Sequence, residues 1–119
     1  MRFDRPNQTT VDILGTEYTV FLENEQDQEE FERADGYFDD TVKEIHIAIR
    51  EPSNHDKLGM IDYRKKVLRH EIIHAFMFES GLDCNAGQYN DAWSRNEEMI
   101  DWWAIQFHKI EKVFKELKI

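Results

Sequence analysis

The stretch from residue 62 to 80 carries apolar side chains on nearly every side of a helix, and this constrains the fold more than any other feature. At about 100° per residue, Leu68, Ile72, Ile73, Ala75 and Phe76 cover one broad side, while Val67, Met77 and Phe78 flank the other. Such a helix is expected at the centre of a domain, covered by other elements. Asp62 is the expected N-cap and Gly81 the stop.

The covering material lies on both sides of it. Residues 10–14 and 17–22 are partly alternating and rich in β-branched and aromatic side chains, with Gly15 at the break, and read as a strand pair with a tight turn. Residues 36–38 form a short candidate strand, and Asp39, Asp40 and Thr41 a turn. Residues 42–49 are the clearest strand, with Ile45, Ile47 and Ile49 on one face and Glu44, His46 and Ala48 on the other. Pro52, Ser53, Asn54 and Gly59 mark a loop. Beyond the central helix, residues 82–91 connect to a long helix over 94–117. Its expected core stripe is Met99, Ile100, Trp103, Phe107, Ile110, Phe114 and Leu117, with Trp102 and Trp103 read as packing. Lys109, Lys112, Lys115 and Lys118 suit the negative end of its dipole. With no repeat or linker, residues 1–119 read as one α+β domain: a small N-terminal, mostly antiparallel sheet, a central helix and a long C-terminal helix.

Composition removes several functions. Aromatic residues at 13% supply a core and argue against disorder. The net charge of −10 repels phosphate backbones, so no nucleic-acid partner is expected. Neither a membrane span nor a signal peptide is indicated, and the expected compartment is cytoplasmic. A lone Cys84 reads as a free structural thiol and fits a reducing compartment. Residues 21–44 hold ten acids against Arg33 and Lys43, a local net of −8 that reads as a solvated surface connection.

Within the apolar helix stands His70-Glu71-Ile72-Ile73-His74. Residues four apart lie one turn along the axis, so both imidazoles can face one metal ion, and zinc suits that pair. Glu71 lies about 100° round, placed to take a proton from a water at the metal. An accidental pattern of this kind is expected in well under ~1% of chains of this length. Two imidazoles and a carboxylate in an apolar helix are also costly to bury without a cation to satisfy them. A catalytic zinc needs a third protein ligand. The metzincin continuation requires Gly at 77 and His at 80, and the chain has Met77 and Ser80. On the last helix, Glu97 and Asp101 lie four apart on one face.

His-Glu-x-x-His followed on a later helix by Asn96-Glu97 and Asp101 resembles the gluzincin metallopeptidase pattern. The compact layout resembles the minimal gluzincins and is similar to the small bacterial and phage-borne domains related to the ImmA/IrrE group, over residues 42–104. The resemblance implies a zincin-like fold, Glu97 as third zinc ligand and Asp101 as hydrogen-bond partner to the far nitrogen of a ligand histidine. Two rivals for the third ligand stand beside Glu97. Glu98 is about 100° off the shared stripe, and His108 lies eleven residues on, about 16 Å along the helix. A histidine there would point to an SprT-like arrangement. Tyr89 is the preferred candidate for stabilising the tetrahedral intermediate, ahead of Trp93, Arg95 and His46.

The function expected is that of a zinc-dependent metallopeptidase acting on a peptide or protein substrate in the cytoplasm, the substrate lying along an exposed edge strand at 44–50. The basic group Arg64, Lys65, Lys66 and Arg69 reads as exposed, with attraction to the acidic stretch as its alternative. The competing reading of the whole chain is a catalytically inactive, zinc-stabilised interaction module.

Overall fold

A computed structural model describes residues 1–50, 59–83 and 92–119. Four strands form one sheet: β1 (Asn7–Ile13), β2 (Thr16–Asn24), β3 (Gly36–Asp39) and β4 (Glu44–Ile49). Two helices follow, α1 (Met60–Glu79) and the long C-terminal α2 (Glu97–Leu117), so the class is α+β. Leu14 and Gly15 both take positive φ, 52° and 88°, as a two-residue turn matched to strand twist requires. Asp12 accepts the Gly15 N–H at 3.0 Å and fixes that turn.

The sheet order is β1-β2-β4-β3. The β1/β2 and β3/β4 pairings are antiparallel, whereas β2 and β4 run parallel. β4 is therefore internal, and residues 44–50 are not the open edge that the sequence pattern led us to expect. The edge on that side is β3. β4 also starts two residues late, because Lys43 turns with φ 59° and leaves Val42 exposed.

One face of the sheet meets α1: Ile13, Tyr18, Val20, Leu22, Ile45 and Ile47 pack with Val67 and Ala75. On the other face Phe21, His46 and Tyr37 are register partners and stack across three strands, at 4.9 and 4.7 Å between ring centroids. The His46 ring nitrogens lie 2.9 Å from Glu23 and 3.1 Å from Glu44. Part of the acidic stretch covers this face, and so is not simply a solvated connection. It carries the buried Phe31 against Tyr37. Arg50 holds it by donating to the carbonyls of Phe31 and Ala34 and to the carboxylate of Asp35, at 2.6 to 3.0 Å.

α1 begins at Met60, with Asp62 inside its first turn rather than capping it. It ends as expected at Gly81, whose φ of 81° lets the Gly81 and Leu82 N–H groups bond back to Phe78 and Met77. α2 begins at Glu97 instead of residue 94, because Ser94 belongs to a 3-10 turn (Trp93–Arg95) and the Asn96 side chain caps the helix through the Met99 N–H. The expected core stripe of α2 is mostly wrong: of its seven residues only Ile100 is buried, joined by Ala104 outside the stripe, while Trp103, Phe107, Phe114 and Leu117 are 37%, 46%, 50% and 63% exposed. α2 is fastened to α1 near its start, by Lys66 to Asp101 and by Arg69 to the Ala104 carbonyl, and then runs on past it. Lys66 and Arg69 of the basic group thus dock α2, while Arg64 and Lys65 meet Phe3 near the N-terminus. Phe76, Ile61 and Tyr63 are exposed as well, so α1 is covered on fewer sides than its sequence suggests. Among the described residues, no helix is long and apolar enough to cross a membrane.

At Gly36, β3 and α1 approach closely. A methyl group there would stand 2.7 Å from Val67 Cγ1 and 3.0 Å from Ile47 Cδ1. Val67 has almost one rotamer on a helix, so the strain has no easy outlet. Gly36→Ala is expected to destabilise the fold by about 1–3 kcal/mol, the usual range for overpacking. Urea denaturation checks this, and an unchanged midpoint would contradict the close approach.

Candidate metal centre

α1 carries His70 and His74 one turn apart, and the first turn of α2 brings Glu97 across to them. His70 Nε2 and His74 Nε2 are 3.1 Å apart, and each lies 2.9 Å from a different oxygen of Glu97. Among the described residues these three form a group that could hold a metal ion, with donor atoms all within 4.8 Å of one another. Bonds of ~2.0–2.1 Å in a tetrahedron place ligand atoms about 3.3 Å apart, a spacing that the two imidazole nitrogens at 3.1 Å nearly match.

The far ring nitrogens decide what these donors can do. His74 Nδ1 is 2.5 Å from the Ser94 carbonyl oxygen. A carbonyl has no proton to give, so Nδ1–H donates and the neutral ring turns an Nε2 lone pair inward. His70 Nδ1 faces Asp101 at 3.2 Å. Burial holds His74 below the ordinary imidazole range, favouring this neutral form. The Nε2 atoms of the two rings and the Glu97 carboxylate thus converge on one point.

Each orienting group is itself held. Lys66 Nζ sits 2.5 Å from Asp101 and is the chief reason that carboxyl lies below its usual range. Ser94 is placed by Asp83, just past the end of α1, which accepts from Ser94 Oγ at 2.8 Å and from Arg95 Nε at 2.9 Å. Phe38 of β3 stacks on His74, with ring centroids 5.8 Å apart and planes 12° from parallel. Glu97 is 71% exposed along its side chain, which leaves the site open on that side. Glu71 is 8% exposed; burial, with a smaller push from the charge of Glu97, raises its carboxyl to about 7. A cation at the donors would draw it back down by favouring the carboxylate.

The remaining sequence candidates fall elsewhere. Glu98 and His108 are exposed and outside the donor group. His46 lies on the sheet face away from α1, and Trp93 is 58% exposed. Arg95 lines a cleft of about 280 Å³ together with Phe38, Phe78, Asp83, His74 and Glu97. Tyr89 and Cys84 lie outside the described residues. Reading the sequence missed Lys66, Ser94, Asp83 and Phe38 as parts of the site. Lys66 alone left a signal, standing four residues before His70 on the same helical face; Ser94 acts through its backbone, and the other two through tertiary contact.

No family model, curated protein or solved structure matches the chain.

Metal titration tests the centre. Zinc at a hundred times its Kd is expected to stabilise the chain by about 2.7 kcal/mol, and His74→Ala to abolish the effect. Asp83→Ala, which frees the Ser94 carbonyl, is expected to weaken zinc binding by about 10–100-fold in competition with a chromophoric chelator. Equal affinities in wild type and Asp83→Ala would show that the carbonyl needs no such anchor.

Proposed function

We propose that this chain is a zinc-dependent peptidase of the zincin type, acting on a peptide or protein substrate in the cytoplasm. The observation that carries the reading is the convergence of His70, His74 and Glu97, with the buried Glu71 one residue from the first. Zinc is favoured by two imidazole nitrogens, a carboxylate and an open fourth position. A bound zinc ion would polarise a peptide carbonyl and acidify a water beside it.

The chain's own groups supply the rest. Glu71 takes the proton of the attacking water and passes it to the leaving amine, and a cation at the donors would favour the carboxylate form that the first transfer needs. Asp101 and the Ser94 carbonyl keep the two rings aimed, so that the donors need not reorganise during turnover. The substrate is expected along β3. Ala48 N–H bonds the Asp35 carbonyl, and the antiparallel alternation from that pair turns the Phe38 N–H and C=O away from β4, toward the open edge. An extended peptide pairing there would run beside the ring that stacks on His74. Arg95, held by Asp83 in the adjoining cleft, is the described side chain suited to support a developing oxyanion.

Glu71 separates this reading from a zinc-stapled interaction module, which needs no proton carrier. Glu71→Gln should bind zinc as tightly as wild type and lose hydrolysis of a randomised peptide library by at least about 100-fold. Full hydrolysis by Glu71→Gln defeats the peptidase mechanism. A wild-type chain that binds zinc and cleaves nothing favours the module.

A further inference from the structure

The cleft beside the metal centre contains a carboxylate that neither the fold nor the donor group uses. Its volume of about 280 Å³ falls below the ~300–1,000 Å³ of pockets that take a whole drug-sized ligand, and suits one side chain of a larger one. Phe38 and Phe78 wall it, edge to face with centroids 6.0 Å apart, and His74 lines it as well. Three carboxylates reach it. Asp83 takes Nε and Nη2 of Arg95 at 2.9 and 3.1 Å, and Glu97 belongs to the donors. Asp40 is left: among the described residues its side chain makes no hydrogen bond or ion pair. Lys43, whose Nζ stands 4.9 Å from the centre of the Phe78 ring, is already taken by Glu79 at 3.0 Å.

The sheet determines which part of a peptide can enter this cleft. Phe38 turns its ring to the α1 face, where it meets His74, whereas Tyr37 stacks on His46 on the opposite face. Neighbouring residues on adjacent strands share a face whichever way the strands run. The residue of an extended peptide that pairs beside Phe38 therefore sends its side chain to the α1 face, into the cleft that Phe38 shares with Ser94 and Arg95. Asp40 stands one residue past the end of β3 and lines the same cleft. Two residues along from Phe38, it is a diagonal neighbour of the entering side chain, a separation that a long side chain spans.

We propose that this cleft receives a lysine or arginine side chain of the peptide, its stem along the two phenylalanine rings and its cation on Asp40. The proposal rests on the reading of β3 as the peptide-binding edge. A basic side chain supplies both halves of the match, a flexible apolar stem that lies on aromatic surface and a charged head for the unpaired carboxylate. An acidic side chain would set like charge against Asp40, and an aliphatic one would desolvate that carboxylate without pairing it. Asp40 is thus a specificity-determining residue, and no step of hydrolysis passes through it.

Peptide binding tests this without turnover. Fluorescein-labelled, threonine-rich peptides with lysine, norleucine or glutamate at the centre are titrated with the zinc-loaded Glu71→Gln chain and followed by fluorescence anisotropy. The lysine peptide should bind at least about tenfold more tightly than the norleucine peptide, the usual worth of a hydrogen bond to a charged group, and the glutamate peptide most weakly. Adding Asp40→Asn should erase the difference between lysine and norleucine, and Asp40→Lys should make glutamate the preferred centre, with zinc affinity and far-ultraviolet circular dichroism unchanged in both. Equal binding of the lysine and norleucine peptides overturns the proposal, as does a lysine preference that survives Asp40→Asn. So does an absence of peptide binding, which removes β3 as the docking edge too. The peptidase reading fails separately. If the lysine peptide binds in the expected way and the zinc-loaded wild type leaves it intact, the pocket stands and the hydrolysis does not.

Discussion

The two inward-facing nitrogens of His70 and His74 have their character because the two outward-facing ones are already engaged. An imidazole with both sides free interconverts between tautomers and presents a donor as readily as an acceptor. Here a backbone carbonyl fixes the choice on His74, while the His70 ring is held between Asp101 on one side and Glu97 on the other. The contacts that hold the site also hold the molecule together. Asp101 and Glu97 belong to α2, Ser94 to the turn before it, and Asp83 to the segment after α1. Docking α2 and orienting the rings are the same event, so a packed start to α2 follows from the need to aim two nitrogens.

α2 is divided between two tasks. Its first two turns face α1 and carry Ile100 and Ala104 into the interior, and its remainder keeps large apolar groups in water. A continuous apolar stripe in the sequence of a helix does not say how much of it the same chain covers. Ile100 and Phe107 look alike in sequence, and only the crossing of α1 and α2 tells them apart.

The same reasoning accounts for what could be read from the sequence. Glycine at 15 and 81, at turns whose backbone must adopt positive φ, is local chemistry, and both were legible. So were the alternation of Ile45 and Ile47 and the single-turn spacing of His70 and His74, which need only the period of a strand or helix. What was not legible depends on which distant segments meet. The parallel pairing of β2 with β4 put β4 inside the sheet, and the acidic stretch turned out to deliver Phe31 to the far face and to be tied by Arg50. Ser94 contributes a carbonyl that every residue type possesses, so no sequence pattern could single it out.

The strand order has a kinetic consequence as well. Each antiparallel pair is a hairpin between chain neighbours, able to zip from its own turn within microseconds. The parallel seam joins residues twenty-five positions apart, from Thr19 with Glu44 to Asn24 with Ile49. Its formation must await closure of the intervening loop, and that entropic cost falls before any of its contacts is made. The passage from two independent hairpins to one sheet is therefore the slow step that topology imposes. It also gathers the floor on which α1, and with it the pair of histidines, comes to rest.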